Sequence, residues 1–258
     1  MYKRIFTFGC SFTSFIWTTW SDIIGDDLNI PVFNWGISGL GNVGIFHRML
    51  ECDLKYKFTS DDLIIVNWTS WGREDRVGDR NAWLPGGFID KNNPYYGDEF
   101  RRQYCSENND IVKNTTAIIS ANRMFNIDYQ SHVVDYETGV ENGDGDLYDF
   151  TQYQYLLDAL PKKILFDNSD NSRFKNTIHD KHPDVLCHLN HARRIYEDLN
   201  LTMKASTIEK YNTLQTTMVD NVLTSTMKPN KDWQHLLKFI QSSEIWQDRR
   251  QDGAEINY

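Results

Sequence analysis

The chain has 258 residues and a formal net charge of −9 at pH 7, with 40% hydrophobic and 14% aromatic residues. This length can bury a full core, so we expect one large α/β domain, with or without an appendage. An acidic chain with no basic stripe excludes nucleic acid and anionic membranes as expected partners.

No run approaches the roughly 18 apolar residues of a membrane span, and residues 1–17 do not have the pattern of a signal peptide. The four cysteines are scattered, with no paired spacing, and we interpret them as reduced thiols. They are Cys10, Cys52, Cys105 and Cys187. Both observations predict a cytoplasmic protein.

The first motif is a short apolar run that stops at Gly9 and continues as Cys10-Ser11-Phe12-Thr13. The run predicts a strand, and the periodicity of residues 17–28 predicts a helix after the turn. A serine on such a strand-to-helix turn exposes its hydroxyl at the carboxyl edge of a sheet, which suits a nucleophile in acyl transfer. A serine that only caps the following helix is the alternative.

The pattern repeats with a strand at residues 30–35, a glycine-rich turn at 36–42 and a helix at 43–57. Residues 39–44 match G-x-G-x-x-G, so a dinucleotide site must be weighed. That fingerprint needs an acidic residue at the end of the next strand, whereas Asp61 and Asp62 precede it. We therefore favour a ligand-binding turn over a cofactor site.

The clearest strand is the apolar, β-branched run at residues 63–68, which is typical of a strand buried on both faces in a parallel sheet. Further strands are predicted at 131–135 and 163–166, and a helix at 107–126. These elements predict a doubly wound, parallel, five-stranded sheet in a flavodoxin-like three-layer α/β/α fold. The polar turns that follow the first three strands should then converge at one edge of the sheet.

Two polar excursions interrupt this pattern, at residues 76–106 and 136–160, and we interpret them as insertions that could form a rim. The α/β domain is predicted to span residues 1–200. Residues 201–258 are polar and helix-forming, and we expect them to be a helical extension that could mediate homo-oligomer formation or another assembly.

A loop at residues 179–184 carries His179, Asp180 and His182 directly before a helix predicted at 184–199. Asp180 and His182 are close enough in sequence to share one turn, as a base and its carboxylate partner do. A solvated surface loop is the alternative. Because only His188 adds a further candidate ligand, we predict no metal, and nothing in the sequence calls for a cofactor.

Taken together and in order, these motifs resemble the SGNH/GDSL hydrolase family over roughly residues 3–72 and 160–199. The Gly-Cys-Ser-Phe-Thr form of the first block is particularly similar to members encoded by phages and bacteria. The resemblance implies that Ser11 is the nucleophile, that His182 is the base and that Asp180 is its partner. It also implies that the backbone N–H groups of Ser11 and Gly39 bind the oxyanion.

Two positions depart from the family's pattern. Its third block is usually G-x-N-D, whose Asn donates to the oxyanion, whereas this chain has Asn67-Trp68-Thr69-Ser70. Asn67 and Ser70 are the candidates we carry forward, with Thr69 beside them. The Asp-x-His spacing is also one residue shorter than the usual Asp-x-x-His.

The activity implied is that of a serine esterase that hydrolyses short-chain acyl esters, with O-acetyl esters of carbohydrates as the expected substrates. Several aromatic residues could form a wall on which a sugar stacks, although for each individual residue we favour simple burial in the core. They are Trp68, Trp71, Trp83, Tyr95 and Tyr96. A non-catalytic binding or structural module with the same fold is the main alternative, and a nucleotide or methyl-donor enzyme is a third.

Overall fold

A computed structural model describes residues 2–15, 17–77, 83–88, 96–133, 150–162, 164–166 and 182–224. The described strands are β1 (Arg4–Gly9), β2 (Val32–Asn34), β3 (Asp62–Trp68), β4 (Arg73–Val77), β5 (Trp83–Phe88) and β6 (Tyr129–His132). The described helices are α1 (Trp20–Leu28), α2 (Asn42–Tyr56), α3 (Asp98–Tyr104), α4 (Glu107–Met124), α5 (Gln154–Leu157), α6 (Val185–Asp198) and α7 (Ala205–Thr224).

The main sheet has the strand order β2-β1-β3-β6. β1 and β3 are parallel, as are β3 and β6, and β2 hydrogen-bonds to β1 through Trp35 N to Thr7 O at 2.8 Å and Ile37 N to Gly9 O at 3.1 Å. The first strand, β1, thus lies in the middle of the sheet, with β2 on one side and β3 and then β6 on the other. The predicted α/β class with a doubly wound parallel sheet is confirmed.

The predicted fifth strand is reduced to a single parallel bridge between His132 and Leu165. His132 N donates to Ile164 O and Phe166 N donates to His132 O, both at 2.8 Å. The described part of the sheet therefore has four strands and not five. Of the predicted strand only residues 164–166 lie within the described ranges, and the bridge stands where a fifth strand would lie.

The residues fall into two compact units, one within 1–14 and 33–166 and the other within 15–32 and 182–224 as far as they are described. In the first unit, α2 and α4 pack against each other and cover one face of the sheet. The core there combines every second residue of the strands with apolar helix positions such as Ile45 and Ile118. At the amino-terminal end of β1 and β3, the Arg4 guanidinium forms a bidentate ion pair with the Asp62 carboxylate, at 2.7 and 2.6 Å.

The second unit is helical, with α6 packed against both α1 and α7. Asp27 of α1 is its polar centre, since it accepts from the Tyr196 hydroxyl at 2.7 Å and from Lys204 N at 2.9 Å. Burial, reinforced by Asp27, raises the pKa of Tyr196. The described part of the predicted extension, through Thr224, is therefore a helix that packs against α1 and α6. The boundary at residue 200 stays a prediction.

The predicted excursion at residues 76–106 contains regular structure. β4 and β5 form an antiparallel hairpin that starts at Arg73, and α3 follows it. The sequence pattern missed the hairpin because β4 is charged and only partly buried, so no apolar alternation identifies it. Most of residues 136–160 lie outside the described residues, and the described part holds the short helix α5. No helix in the described ranges is long and apolar enough to cross a membrane.

Candidate active site

Ser11 lies on a tight turn directly after β1, at the middle of the sheet. The carbonyl oxygen of Cys10 accepts from Thr13 N at 2.9 Å and from Ser14 N at 3.1 Å, so Ser11 and Phe12 are at the bend. Ser11 is 4% exposed, and Cys10 is fully buried. Cys10 is therefore a core residue, and Ser11 is the candidate nucleophile of the turn.

A buried amide from the neighbouring strand holds this turn. Asn34, the last residue of β2, donates from Nδ2 to Thr13 O at 2.8 Å and accepts from Gly36 N at 3.0 Å. One side chain therefore links the Ser11 turn to the start of the glycine-rich turn. Because Asn34 is 1% exposed, these two hydrogen bonds satisfy amide atoms that water does not reach.

Gly9 allows the close approach that this geometry needs. A Cβ atom on Gly9 would overlap the Thr13 side-chain oxygen and would come within 2.9 Å of Asn67 O in β3. The strand before the nucleophile turn therefore ends in glycine for a steric reason.

Gly39 lies in a turn from Ile37 to Leu40 that is closed by a hydrogen bond from Leu40 N to Ile37 O at 3.1 Å. Its φ of +81° is the left-handed value that the third position of a type II turn requires, and glycine adopts it without strain. The turn starts beside the end of β1, because Ile37 N donates to Gly9 O. Gly39 and Ser11 are thus presented from adjacent strands.

The glycine pattern that suggested a dinucleotide site has a different role. Asp75 of β4 accepts from Gly41 N at 2.8 Å with one carboxylate oxygen and from Gly44 N at 3.1 Å with the other. The carboxylate therefore occupies the position at the start of α2 where a phosphate would bind. Burial raises the pKa of Asp75 to about 6, against the lowering effect of these hydrogen bonds. Sequence patterns did not identify Asp75, since its partners lie more than 30 residues away.

The loop after β3 is held by two buried amides, Asn42 and Asn114. Asn42 accepts from Thr69 N at 2.7 Å and donates to Thr69 O at 3.0 Å, so it binds both polar atoms of one backbone residue. Asn42 also donates to Asn114 Oδ1 at 2.9 Å, and Asn114 donates to Trp71 O at 3.0 Å. The third polar turn is therefore as firmly placed as the first two.

The candidate donors of this region differ in their surroundings. Asn67 is fully buried within β3, and its Oδ1 accepts from Ser131 Oγ at 3.2 Å, while its Nδ2 has no partner among the described residues. Ser70 lies in the loop and is 5% exposed. Thr69 is 2% exposed, and its hydroxyl also lacks a partner in the described part of the chain. A buried donor left without a partner costs about 1–3 kcal/mol, so both invite a functional explanation.

The second unit holds His182, whose imidazole stacks on the ring of Phe15 with centroids 4.0 Å apart. The next residue is fixed as well, because Trp17 Nε1 donates to Pro183 O at 2.8 Å. Asp180, the predicted partner of His182, lies outside the described residues. Asp184 instead caps α6, where it accepts from Cys187 N and from Gln215 Nε2, both at 2.9 Å.

Two further histidines, His188 and His191, are fully buried in α6. Burial, with added repulsion from His191 and His182, lowers the pKa of His188 well below its ordinary value. His188 is therefore neutral at pH 7. Across the described residues, no three His, Cys, Asp or Glu side chains are grouped so that they could hold a metal ion.

The aromatic residues considered for a sugar-binding wall are mostly part of the core. Trp68 is fully buried, Trp71 is 3% exposed and Tyr96 is 7% exposed. The side chain of Trp83 and all of Tyr95 lie outside the described residues. The stacking wall is therefore wrong for Trp68, Trp71 and Tyr96, because a ring closed off from solvent has no free face to offer.

No protein-family model matches the chain, and no curated protein matches it. Among solved structures, it is similar to a protein assigned to the G-D-S-L lipolytic family from Desulfitobacterium hafniense DCB-2, at 14% identity over 76% of this chain and 99% of the other, with a TM-score of 0.44. It is also similar to a psychrotrophic esterase from a Pseudoalteromonas species, at 11% identity over 77% and 97% of the two chains, with a TM-score of 0.44.

A third structure similar to this chain is an acetylxylan esterase from Geobacillus stearothermophilus, at 13% identity over 79% and 97% of the two chains, with a TM-score of 0.39. The family named for the first of these structures is the one that the sequence motifs resemble. At such identities and TM-scores, however, an activity has to be inferred from the residues of this chain itself.

Proposed function

We propose that this protein is a serine esterase in which Ser11 is the nucleophile. The observation that carries the proposal is the turn at residues 10–14, which has Ser11 at its bend and follows the carboxyl end of β1 in the middle of a doubly wound sheet. Ligands of such sheets bind at this edge, where the strand order reverses. The turn of Gly39 begins beside it and supplies backbone N–H groups of the kind that bind an oxyanion.

In the proposed reaction, His182 takes the proton of the Ser11 hydroxyl while Oγ attacks the carbonyl carbon of an ester. The backbone N–H groups of Ser11 and Gly39 stabilise the resulting oxyanion, with Asn67 or Ser70 as further candidate donors. His182 then protonates the departing alcohol, which leaves an acyl group on Ser11. Asp180 is proposed to orient His182 and to stabilise its charged form.

Water completes the cycle. His182 accepts a proton from the water molecule that attacks the acyl carbon, and it returns this proton to Ser11 as the acid departs. The finer proposal, that the acyl group is acetyl and the alcohol a carbohydrate, follows the motif resemblance. The acidic surface fits a neutral substrate better than an anionic one.

The test is hydrolysis of p-nitrophenyl acetate by the wild type, by Ser11→Ala and by Ser38→Ala. Ser38 is an exposed serine of the adjacent turn and serves as the matched control. We expect turnover in the wild type and the control and none in Ser11→Ala. A fluorophosphonate probe should label the wild type at Ser11, as peptide mass spectrometry would show.

Release of acetate from acetylated xylooligosaccharides then tests the finer proposal. Turnover that survives in Ser11→Ala would contradict the proposed nucleophile. Absence of both turnover and labelling in well-folded wild type would instead favour a binding module that has kept the fold without the chemistry.

A further inference from the structure

The loop after β3 contains a buried donor, the Thr69 hydroxyl, that no described residue of the chain accepts from. Both backbone polar atoms of Thr69 are taken by Asn42, at 2.7 and 3.0 Å, so only its hydroxyl is left to donate. That hydroxyl is buried and has no partner within the described ranges. A hydroxyl held in place by its backbone and left unsatisfied is preorganised for a ligand atom.

The strand register places Thr69 level with the proposed nucleophile. Gly9 of β1 pairs with Asn67 of β3 in a parallel ladder. Ser11 and Thr69 each lie two residues beyond this pair, past the ends of adjacent strands at the same edge of the sheet. Both belong to the first unit. Buried Asn34 holds the turn of Ser11 through Thr13 O, and buried Asn42 holds the backbone of Thr69 itself.

We propose that the Thr69 hydroxyl is the third oxyanion donor, beside the N–H groups of Ser11 and Gly39. The assignment rests on the proposed esterase function and specifies a residue of the same site. Hydroxyl groups of side chains serve as oxyanion donors, and a donor aimed at the developing charge acts mainly on the transition state. Asn42 is the positioning residue, since it fixes the Thr69 backbone from the start of α2.

Asn67 is the competing donor, because its Nδ2 is also without a partner in the described residues. It lies inside β3, however, and its Oδ1 is tied to Ser131 of the neighbouring strand β6. Its side chain therefore projects from the face of the sheet, two residues before the edge at which Ser11 and Thr69 follow their strands. Thr69 is therefore better placed than Asn67 to donate to an oxyanion beside Ser11.

The test compares Thr69→Val, which removes the hydroxyl and keeps the shape, with Thr69→Ser, which keeps the hydroxyl. We expect kcat for p-nitrophenyl acetate to fall about 10²- to 10³-fold in Thr69→Val with KM little changed, and to stay within about tenfold of wild type in Thr69→Ser. Because the hydroxyl has no hydrogen-bond partner to lose among the described residues, the melting temperature of Thr69→Val should be equal to or above that of the wild type. A hydroxyl with a structural role would give a lower melting temperature.

Thr115→Val is the matched control, since Thr115 is also buried and its hydroxyl donates to carbonyl oxygens within its own helix α4, to Ile111 O at 2.7 Å and to Val112 O at 3.3 Å. It should leave kcat unchanged. Asn67→Leu tests the competing donor, and a loss of kcat in that variant with none in Thr69→Val overturns the assignment. Thr69→Val with wild-type kcat, while turnover still requires Ser11, overturns the assignment alone. A wild type without Ser11-dependent turnover overturns the esterase proposal and this assignment together.

Discussion

The imidazole of His182 lies on the phenyl ring of Phe15, with the ring centroids 4.0 Å apart and the planes inclined by 23°. Phe15 in turn meets Trp17 edge to face, with centroids 4.5 Å apart. Trp17 donates to the carbonyl oxygen of Pro183, the residue after His182. The segment that follows the Ser11 turn in sequence therefore contacts both His182, the proposed base, and the residue after it.

Trp17→Phe tests whether this hydrogen bond positions His182. The variant keeps an aromatic ring against Phe15 and loses only the donor to Pro183 O, together with some packing. We expect kcat for ester hydrolysis to fall about tenfold or more, because a small displacement of a catalytic group has a large effect on rate. The pH profile of kcat should change with it.

Trp20→Phe is the control for packing. Trp20 is fully buried in the same unit, and its Nε1 has no hydrogen-bond partner among the described residues. Both variants should lose packing, but Trp17→Phe should lose more stability in urea unfolding because it also leaves Pro183 O without this donor, and only Trp17→Phe should lose activity. Equal losses of activity would show that packing, and not the bond to Pro183, is what matters.

Asn34→Ala tests the link between the Ser11 turn and the glycine-rich turn. It leaves Thr13 O and Gly36 N buried without their partner, so we expect a loss of about 1–3 kcal/mol in the free energy of unfolding and a marked fall in kcat. Asn122→Ala removes an amide that bonds to Ile118 O and Gln130, away from the three turns. It should cost stability with little change in kcat. Normal turnover in folded Asn34→Ala would contradict a positioning role.

Asp75 predicts a pH dependence of stability. Its pKa is raised to about 6 in the folded chain, mainly by burial, with Arg73 lowering it and Glu74 raising it. The ordinary value in an unfolded chain is near 4, so the folded state binds this proton more tightly. Asp75 therefore favours folding below about pH 4, and this contribution is lost as the pH rises through about 6.

Asp75→Asn cannot titrate, and it also loses one acceptor for the N–H groups of Gly41 and Gly44. The measured quantity is the difference in the free energy of unfolding, wild type minus Asp75→Asn. We expect this difference to fall by on the order of 2 kcal/mol from pH 4 to pH 7. Urea unfolding at both pH values measures it, with Asp98→Asn at an exposed aspartate as the control. A difference that rises with pH would contradict the raised pKa.

The elements of the fold could largely be predicted from the sequence, because their signals are local. The buried run at residues 63–68 and the helical periodicity at 43–57 and 107–126 correspond to β3, α2 and α4 within one or two residues. The strand predicted at residues 131–135 is β6, which begins two residues earlier, at Tyr129. The strand predicted at residues 163–166 is a single bridge in the described residues. Strand ends depend on pairing with neighbours, which periodicity does not report.

The sequence by itself determined the class of fold, the order of the elements apart from the β4–β5 hairpin, and the three polar turns that follow β1, β2 and β3. These follow from apolar periodicity and from the residues that interrupt it, both of which are local properties of the chain. Only the tertiary structure decided what holds those turns, namely Asn34 on Thr13, Asp75 on Gly41 and Asn42 on Thr69, partners that lie 21 to 34 residues apart. A polar side chain is matched to its distant partner only when packing buries both, so no pattern of spacing along the chain could have identified these pairs.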